Sequence, residues 1–336
     1  MNESVLLGFS GGIDSRTAAA KLCSEGYRVV ALTIDTLGDK DMMVRAEALA
    51  KELNIDWVGY DKRDCFRRDI IDYFKQEYIL GHTPAPCTRC NSLIKWRTLC
   101  DVADAMNIEH IATGHYFNIE NHCGLYYVTK GADSNKDQSY YLWGLDQSTL
   151  SRALTPMGNE IKSVVKQSFS DKRESMGVCF LDGLPYAEYL RRSGVKMIAG
   201  DVVDYQGNII GQHDGIAHYT IGQRRGSGIP AGLRVVDIDA EQNRIVVGTN
   251  EMLFKHRLDI NQCNVVNIDE LLSADDVTIK IRGIGRNPEL PVKIEPTQSG
   301  YRITTNDPAW APAIGQPLVF YRKNLVIGGG IVAHFE

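Results

Sequence analysis

GFSGGIDSRTAAAKL, residues 8–22, follows the apolar run SVLL (4–7) at the start of the chain. Three glycines and two serines fall within its first eight residues, and an Ala-rich run comes next. The spacing predicts a buried strand over 4–9, a glycine loop, and a helix over 14–25 with Ala18, Ala19, Leu22 and Cys23 on one face. Glycines in a strand–loop–helix leave backbone N–H groups free to converge on an anion, and the helix adds the positive end of its dipole. Bulky side chains would block that approach, so their absence marks where phosphate goes. The loop is not of the G-x-x-x-x-G-K-[ST] type, because no Lys follows Gly12, nor is it G-x-G-x-x-G.

Working outward, RVVALTID (28–35) reads as a strand and DMMVRAEALAKELN (41–54) as a helix with Val44, Leu49 and Leu53 inward. DWVGYD is a short strand, 64–80 and 92–106 are helical, and EHIATGH (109–115) is a strand ending in glycine. Strands alternating with helices of this length imply a parallel sheet covered on both faces, with ligands beyond the carboxyl ends of its strands. Gly8–Gly12, Ile34–Asp35 and Gly114–His115 all fall at that edge. Beyond about residue 195 the texture becomes β-rich: VDYQGNII and DIDAEQNRIVVG read as hairpins. From about 256, VTIKIRGIG, LPVKIEP, YRITTND and QPLVFYRKNLVIGGGIV follow one another at barrel-like spacing. The expected division is 1–195 for the α/β domain, 196–255 for a small central β domain and 256–336 for a C-terminal β-barrel.

A chain of 336 residues has room for two or three cores, and its 43% hydrophobic and 24% charged residues are ordinary for a globular protein. MNESVLLGF lacks the basic start and the apolar length of a signal peptide, and no apolar run is long enough for a transmembrane helix. Eight irregularly spaced cysteines do not form a secreted disulfide framework, which favours a reducing cytoplasm. A net charge of −5 argues against an unselective nucleic-acid binder while leaving room for local basic patches.

The next signal is GHTPAPCTRCNSLIKW (81–96), in which Cys87-x-x-Cys90 precedes a helix whose dipole favours thiolate. A CxxC alone suits half a zinc site, a redox pair or two buried thiols. A third cysteine, Cys179, lies in ESMGVCFL.

The motif Ser10–Ser15, S-G-G-x-D-S, resembles the PP-loop of the ATP pyrophosphatases, which cleave ATP between its α- and β-phosphates and adenylate a carbonyl oxygen. Taken with GHTPAPCTRCN, IATGHY, KDQSYYLWGLDQSTLSRALTPMG, ESMGVCFL, GDVVDYQGNIIGQHDGIAHYTIGQRRGSGI and GQPLVFYRKNLVIGGGI, the chain resembles the tRNA-specific 2-thiouridylases (the MnmA/TrmU family) over nearly its whole length. The resemblance implies a PP-loop domain of the HUP type, the two β domains above, and replacement of O2 of a wobble uridine by sulfur with ATP and Mg2+. It implies that Gly8, Phe9, Ser10, Gly11, Gly12, Ile13, Asp14, Ser15, Ile34 and Gly114 bind ATP, with Asp14 placed to hold magnesium. It further implies that Cys179 carries a persulfide taken from a sulfur-relay protein or cysteine desulfurase, and that Cys90 helps release that sulfur, leaving a Cys90–Cys179 disulfide. Ala85, Pro86 and Cys87 would meet the target base. His115, Lys136, Asp137, Gln138, Arg282, Gly283 and Gln316 would contact tRNA.

The chain departs from the family at Cys87, where Asp is usual, at Ile34, where Met often stands, at Arg16 in place of Ser, and in the short TIDTLGDKD loop. Cys87, Cys90 and Cys179 together could instead ligate a [4Fe–4S] cluster with one iron open for sulfide. GQRRG (222–226) places two arginines in a Gly-bounded loop suited to phosphate contact, where an ordinary hairpin tip is the alternative. Two other function classes stay open: a PP-loop amidotransferase or ligase, and a paralogue that binds tRNA or a sulfur carrier and thiolates another substrate.

Overall fold

Val5, Leu6 and Leu7 carry the first strand into the centre of a parallel sheet, and solvent reaches none of them. In this computed structural model residues 3–167, 177–281 and 286–336 are described. The first seven strands are β1 (Ser4–Gly8), β2 (Arg28–Asp35), β3 (Asp56–Asp61), β4 (His110–Thr113), β5 (Phe117–His122), β6 (Leu125–Lys130) and β7 (Ala153–Leu154). The order across the sheet is β3-β2-β1-β4-β7, every pairing parallel, with Leu7 opposite Ala31 on one side and Ala112 on the other. This is the doubly wound arrangement expected of alternating strands and helices, and it sets the ends of β1, β2 and β4 side by side.

Two helices flanking the glycine loop show how close packing overrules simple periodicity. In α1 (Ile13–Ser24) Ala18, Ala19 and Leu22 are buried as the sequence predicts, whereas Cys23 is exposed and belongs to the outer face. In α2 (Lys40–Glu52), capped by Asp39 accepting from Met42 N at 2.8 Å, the buried residues are Ala46 and Ala50. Val44 is 65% exposed and Leu53 36%, against the expectation that both point inward, while Leu49 does pack on the core. The face of α2 that meets the loop is the one carrying Ala46 and Leu49: a Cβ on Gly11 would lie 3.1 Å from Leu49 Cδ1 and 3.5 Å from the Ala46 Cα.

A hairpin absent from the sequence reading, β5–β6, turns on Cys123 and Gly124, both with positive φ, as a two-residue connection requires. Thr129 and Val128 of β6 pair with Leu325 and Val326 far along the chain. Of the described residues, 3–70, 87–167 and 324–328 form one compact unit, and the remainder forms a second.

The second unit holds β8 (Gly200–Val203), β9 (Ile209–His213), β10 (Arg234–Asp239) and β11 (Arg244–Gly248), ordered β10-β11-β8-β9. Both hairpins predicted here form, with antiparallel pairing of β8 with β9 and of β10 with β11. Then come β12 (Phe254–Val265), β13 (Val277–Lys280), β14 (Lys293–Pro296), β15 (Gly300–Trp310), β16 (Pro317–Arg322) and β17 (Leu325–Phe335), ordered β13-β16-β17-β12-β15-β14. Their alternating burial, as in VTIK with Val277 and Ile279 inward, is what a strand with one face on a core requires.

Candidate active site

At the end of β1 the chain turns through Gly11 (φ +73°) and enters α1 with Gly12 as its N-cap. A Cβ on Gly12 would meet nothing nearer than Ser10 Oγ at 3.4 Å, so space lies open where an anion would approach. Ser15 donates its hydroxyl to Gly12 O at 3.0 Å and lies 3.5 Å from Ser10 Oγ, which ties the loop across its own mouth. Phe9, buried, donates its N–H to Leu32 O, and Thr33 donates to Phe9 O, both at 2.7 Å, so β2 fixes the loop's first residue. Ile34 lies one residue beyond Thr33 on β2, and Asp35 closes the following turn by accepting from Leu37 N and Gly38 N.

Gly114, just past β4, shows why that position carries no side chain. A Cβ there would sit 3.0 Å from both the Asp14 carbonyl carbon and the Ser15 nitrogen. Backbone meets backbone at this point, and β4 and the start of α1 are locked in register. Gly8 is different: a Cβ would find only ordinary contacts at 3.5 Å or more.

Asp14 is where the structure adds most. Its Oδ1 accepts from Tyr116 OH at 2.7 Å and from Lys162 Nζ at 2.5 Å. Lys162 is buried, its ammonium lies 5.7 Å from the Tyr116 ring centroid, and its backbone N–H donates to Asp133. Burial and the neighbouring Asp14 carboxylate hold the Tyr116 phenol far above its usual range, so it stays a donor. Gln138 in turn accepts from Tyr116 N at 2.9 Å. The result is a chain, Gln138 to Tyr116 to Asp14 to Lys162, that puts a buried cation at the first turn of α1. Neither Lys162 nor Tyr116 was visible in the sequence, where they stand 148 and 102 residues from Asp14.

Of the residues expected to contact tRNA, Asp137 accepts from Gly131 N, Ser139 N and Ser139 Oγ, so its carboxylate shapes the 131–139 turn. Lys136 is exposed beside it. His115 shares a 2.8 Å bond between its Nδ1 and Thr113 Oγ1, and burial, helped by Lys95, pushes the imidazole down to about 3. It is therefore a neutral ring at working pH. Gln316 immediately precedes β16, and its carbonyl accepts from Val332 N at 2.8 Å. Arg282 and Gly283 lie outside the described residues.

The CxxC does not precede its helix, as the sequence reading has it, but forms the helix's first turn, Pro86–Cys90. Proline at the first helical position explains the earlier start, since its missing N–H is one a helix leaves unpaired there anyway. Ala85 lies one residue ahead of that turn, Cys87 is partly exposed and Cys90 is buried. Residues Asn91–Lys95 then widen into a π-helical turn, as do Arg67–Asp72, and Arg89 Nε donates to Asp69 O at 2.8 Å, tying the two together. Such turns recur beside functional groups because one extra residue re-aims its neighbours. In the second unit Cys179 is exposed at the head of a short turn, Cys179–Leu181, while the adjacent Phe180 is buried edge-on against Phe74, 5.1 Å between centroids. No group of three or more His, Cys, Asp or Glu among the described residues is arranged to hold a metal ion.

Three family models match in order: a tRNA methyl transferase HUP domain over residues 3–183, a tRNA methyl transferase PRC-barrel domain over 187–249, and an aminomethyltransferase beta-barrel domain over 255–332. Among curated proteins, tRNA-specific 2-thiouridylase MnmA 2 of Phocaeicola vulgatus is 39% identical, covering 98% of this chain and 98% of that protein. MnmA 1 of Bacteroides fragilis is also 39% identical, over 98% of this chain and 97% of its own. A solved structure described as a predicted subunit of tRNA methyltransferase from Methanocaldococcus jannaschii overlaps at a TM-score of 0.35, with 18% identity over 57% of this chain and 86% of that one, and adds nothing to the assignment. With a PP-loop at the head of a parallel sheet, two β domains behind it and full-length relatives at this identity, the chain belongs to the tRNA-specific 2-thiouridylase family.

Proposed function

We propose that this chain is an ATP-dependent tRNA-uridine 2-sulfurtransferase, which adenylates O2 of a wobble uridine and replaces that oxygen with sulfur. The observation that carries the reading is the PP-loop itself, open above Gly12 and backed by the half-buried Lys162–Asp14 pair, in a chain whose full-length curated relatives named above are 2-thiouridylases. Gly8 to Ser15, with Ile34 and Gly114, hold ATP; the loop's N–H groups and Lys162 face the charge that grows as pyrophosphate departs. Asp14 keeps Oδ2 outside its two bonds, so the carboxylate retains an oxygen for Mg2+, which would shield the phosphate charge when bound.

The C2 carbonyl of uridine is a poor electrophile with a poor leaving group, and adenylation makes its oxygen part of AMP. The terminal sulfur of a Cys179 persulfide then bonds to C2 as the bond from C2 to the AMP oxygen breaks. The Cys90 thiolate attacks the Cys179 sulfur, the persulfide S–S bond breaks, and 2-thiouridine, AMP and a Cys90–Cys179 disulfide result. The persulfide reaches Cys179 from a sulfur-relay protein or cysteine desulfurase, whose access the exposure of Cys179 supports. Ala85, Pro86 and Cys87 lie beside the base, and His115, Lys136, Asp137, Gln138, Arg282, Gly283 and Gln316 are assigned to tRNA. The domains divide at 195 and 255, and the protein works in the cytoplasm with its tRNA. Mass spectrometry of tRNA nucleosides from a deletion strain tests the whole: 2-thiouridine should vanish and return on complementation. Unchanged 2-thiouridine in the deletion would overturn it.

A further inference from the structure

The second unit contains a cleft of about 470 Å³ lined by Arg224, Arg234, Asn250, Arg286 and Trp310. Three arginines line one space, and among the described residues no carboxylate lines it. Elsewhere in this acidic chain several arginines meet acids: Arg28 meets Asp56, Arg152 meets Asp104, Arg302 meets Asp259, and Arg322 meets both Asp276 and Glu270. Like charges lining one space repel one another, and an anion in the cleft would relieve that.

The cleft is also built. Arg234 lies over the Trp310 ring at 5.7 Å and donates through Nη1 to Gly222 O at 3.2 Å, which leaves most of its N–H groups for a ligand. Trp310 is held in turn by Asn250, whose Oδ1 accepts from the indole at 3.2 Å. Gly222 (φ +88°) lets the GQRRG loop lie on this wall, since a Cβ there would stand 3.2 Å from the indole. Arg224 also lines a neighbouring cavity of about 910 Å³ together with Arg225, so the basic surface runs from one cleft into the next. Compact anions would be served by one arginine pair; a track of guanidiniums along two clefts suits a chain of phosphates.

We propose that the Arg224–Arg234–Arg286 cleft is a tRNA backbone site, in which the guanidiniums pair with successive phosphates and Trp310 holds Arg234 in its pose. The proposal rests on the tRNA reading above and extends it to residues that reading does not use. It is tested by fluorescence anisotropy of the purified full chain with a labelled, unmodified tRNA transcript over a range of salt concentrations. Arg224→Gln combined with Arg286→Gln, both exposed positions, should weaken binding about tenfold and lower the salt slope by about 2, one for each lost phosphate contact. Arg234→Lys should lose part of the affinity. Arg191→Gln with Arg192→Gln, arginines already paired with Glu188, should leave the slope intact. A double variant at 224 and 286 that melts like wild type and keeps its full slope would overturn the site while leaving tRNA thiolation standing. A wild-type chain that binds no tRNA would overturn both.

Discussion

Replacing Asp14 with alanine should cost stability as well as catalysis, and the size of that cost follows from what Asp14 holds. The Lys162 side chain is only 8% exposed, and Asp14 lies 2.5 Å from its ammonium with 36% of its own side chain in solvent. Removing one partner of a buried ion pair costs about 3–5 kcal/mol, because the other charge is stranded. Solvent around Asp14 screens part of the pair, and we take about 2–3 kcal/mol, which includes the acceptor lost by Tyr116 OH. For a unit of this size about 2–4 °C of melting temperature accompanies each kcal/mol, so Asp14→Ala should melt about 4–12 °C below wild type.

The same geometry sets the sign of a double-mutant cycle. Lys162→Met with Asp14→Ala removes both charges, so the double variant should be more stable than the sum of the singles by at least about 1 kcal/mol. Asp14→Asn keeps an oxygen for Tyr116 and should fall between wild type and alanine. Thermal melts followed by circular dichroism supply the stabilities, and pyrophosphate release supplies the activity, which every variant should lose while still folded at 25 °C. Additive melting shifts, or an Asp14→Ala variant within about 1 °C of wild type, would show that Asp14 does not anchor Lys162.

Other expectations follow from neighbouring contacts. Gly114→Ala drives a methyl group into backbone at 3.0 Å, so the PP-loop must shift and the KM for ATP should rise at least tenfold; an unchanged KM would mean that the loop tolerates the displacement. Because His115 is held neutral down to about pH 3 in the fold and titrates near 6.5 unfolded, the unfolded chain binds the extra proton between those values. Its contribution to stability is therefore intact above about pH 6.5 and lost progressively as pH falls toward 3, and His115→Gln should flatten that part of a stability–pH curve; an NMR titration midpoint near 6.5 for His115 would contradict this. Cys90→Ser and Cys179→Ser should each abolish thiolation with ATP binding retained, and wild type should form a Cys90–Cys179 disulfide after one turnover without reductant. Cys87→Asp should remain active, whereas iron and sulfide near four each per chain in active enzyme, with no such disulfide, would replace the persulfide by a cluster.

What the sequence disclosed and what it hid divide along a physical line. Gly11, Gly12 and Ser15 could be read because loop, strand end and helix start are neighbours in the chain, and each residue is chosen for local backbone reasons. Gly114 could be placed at the same sheet edge from the alternation of strands alone, though not its contact with Asp14 and Ser15. Lys162 and Tyr116 could not be found, since a lysine in EIKSVVK gives no local sign that it is buried beside an aspartate 148 residues earlier. The inward face of α2 was misread for a related reason: hydrophobic periodicity ranks Val44 above Ala46, but the helix meets the loop glycine through Ala46 and Leu49. Pro86 was the signal for the helix that the CxxC begins, and it was passed over; the π-helical turns on either side have no comparable signature, because a single inserted residue can be absorbed at many positions.

The two kinds of residue also differ in how function depends on them. Loop glycines shape the phosphate site through backbone geometry, so one methyl group at Gly114 is enough to disturb it. The hidden network sets where a cation stands, and it does so through side chains from distant parts of the chain, each satisfied by the next: Gln138 by Tyr116, Tyr116 by Asp14, Asp14 by Lys162. A substitution at Gln138 should therefore register at the PP-loop even if that residue never touches RNA. Gln138→Ala removes the acceptor for Tyr116 N and should loosen the tyrosine that steadies Asp14. Pyrophosphate release measured without tRNA distinguishes the two roles: a residue that only contacts tRNA would leave that rate alone, whereas a residue that braces Asp14 should lower it severalfold. An unaltered tRNA-independent rate in Gln138→Ala would confine Gln138 to RNA and break the network at its first link.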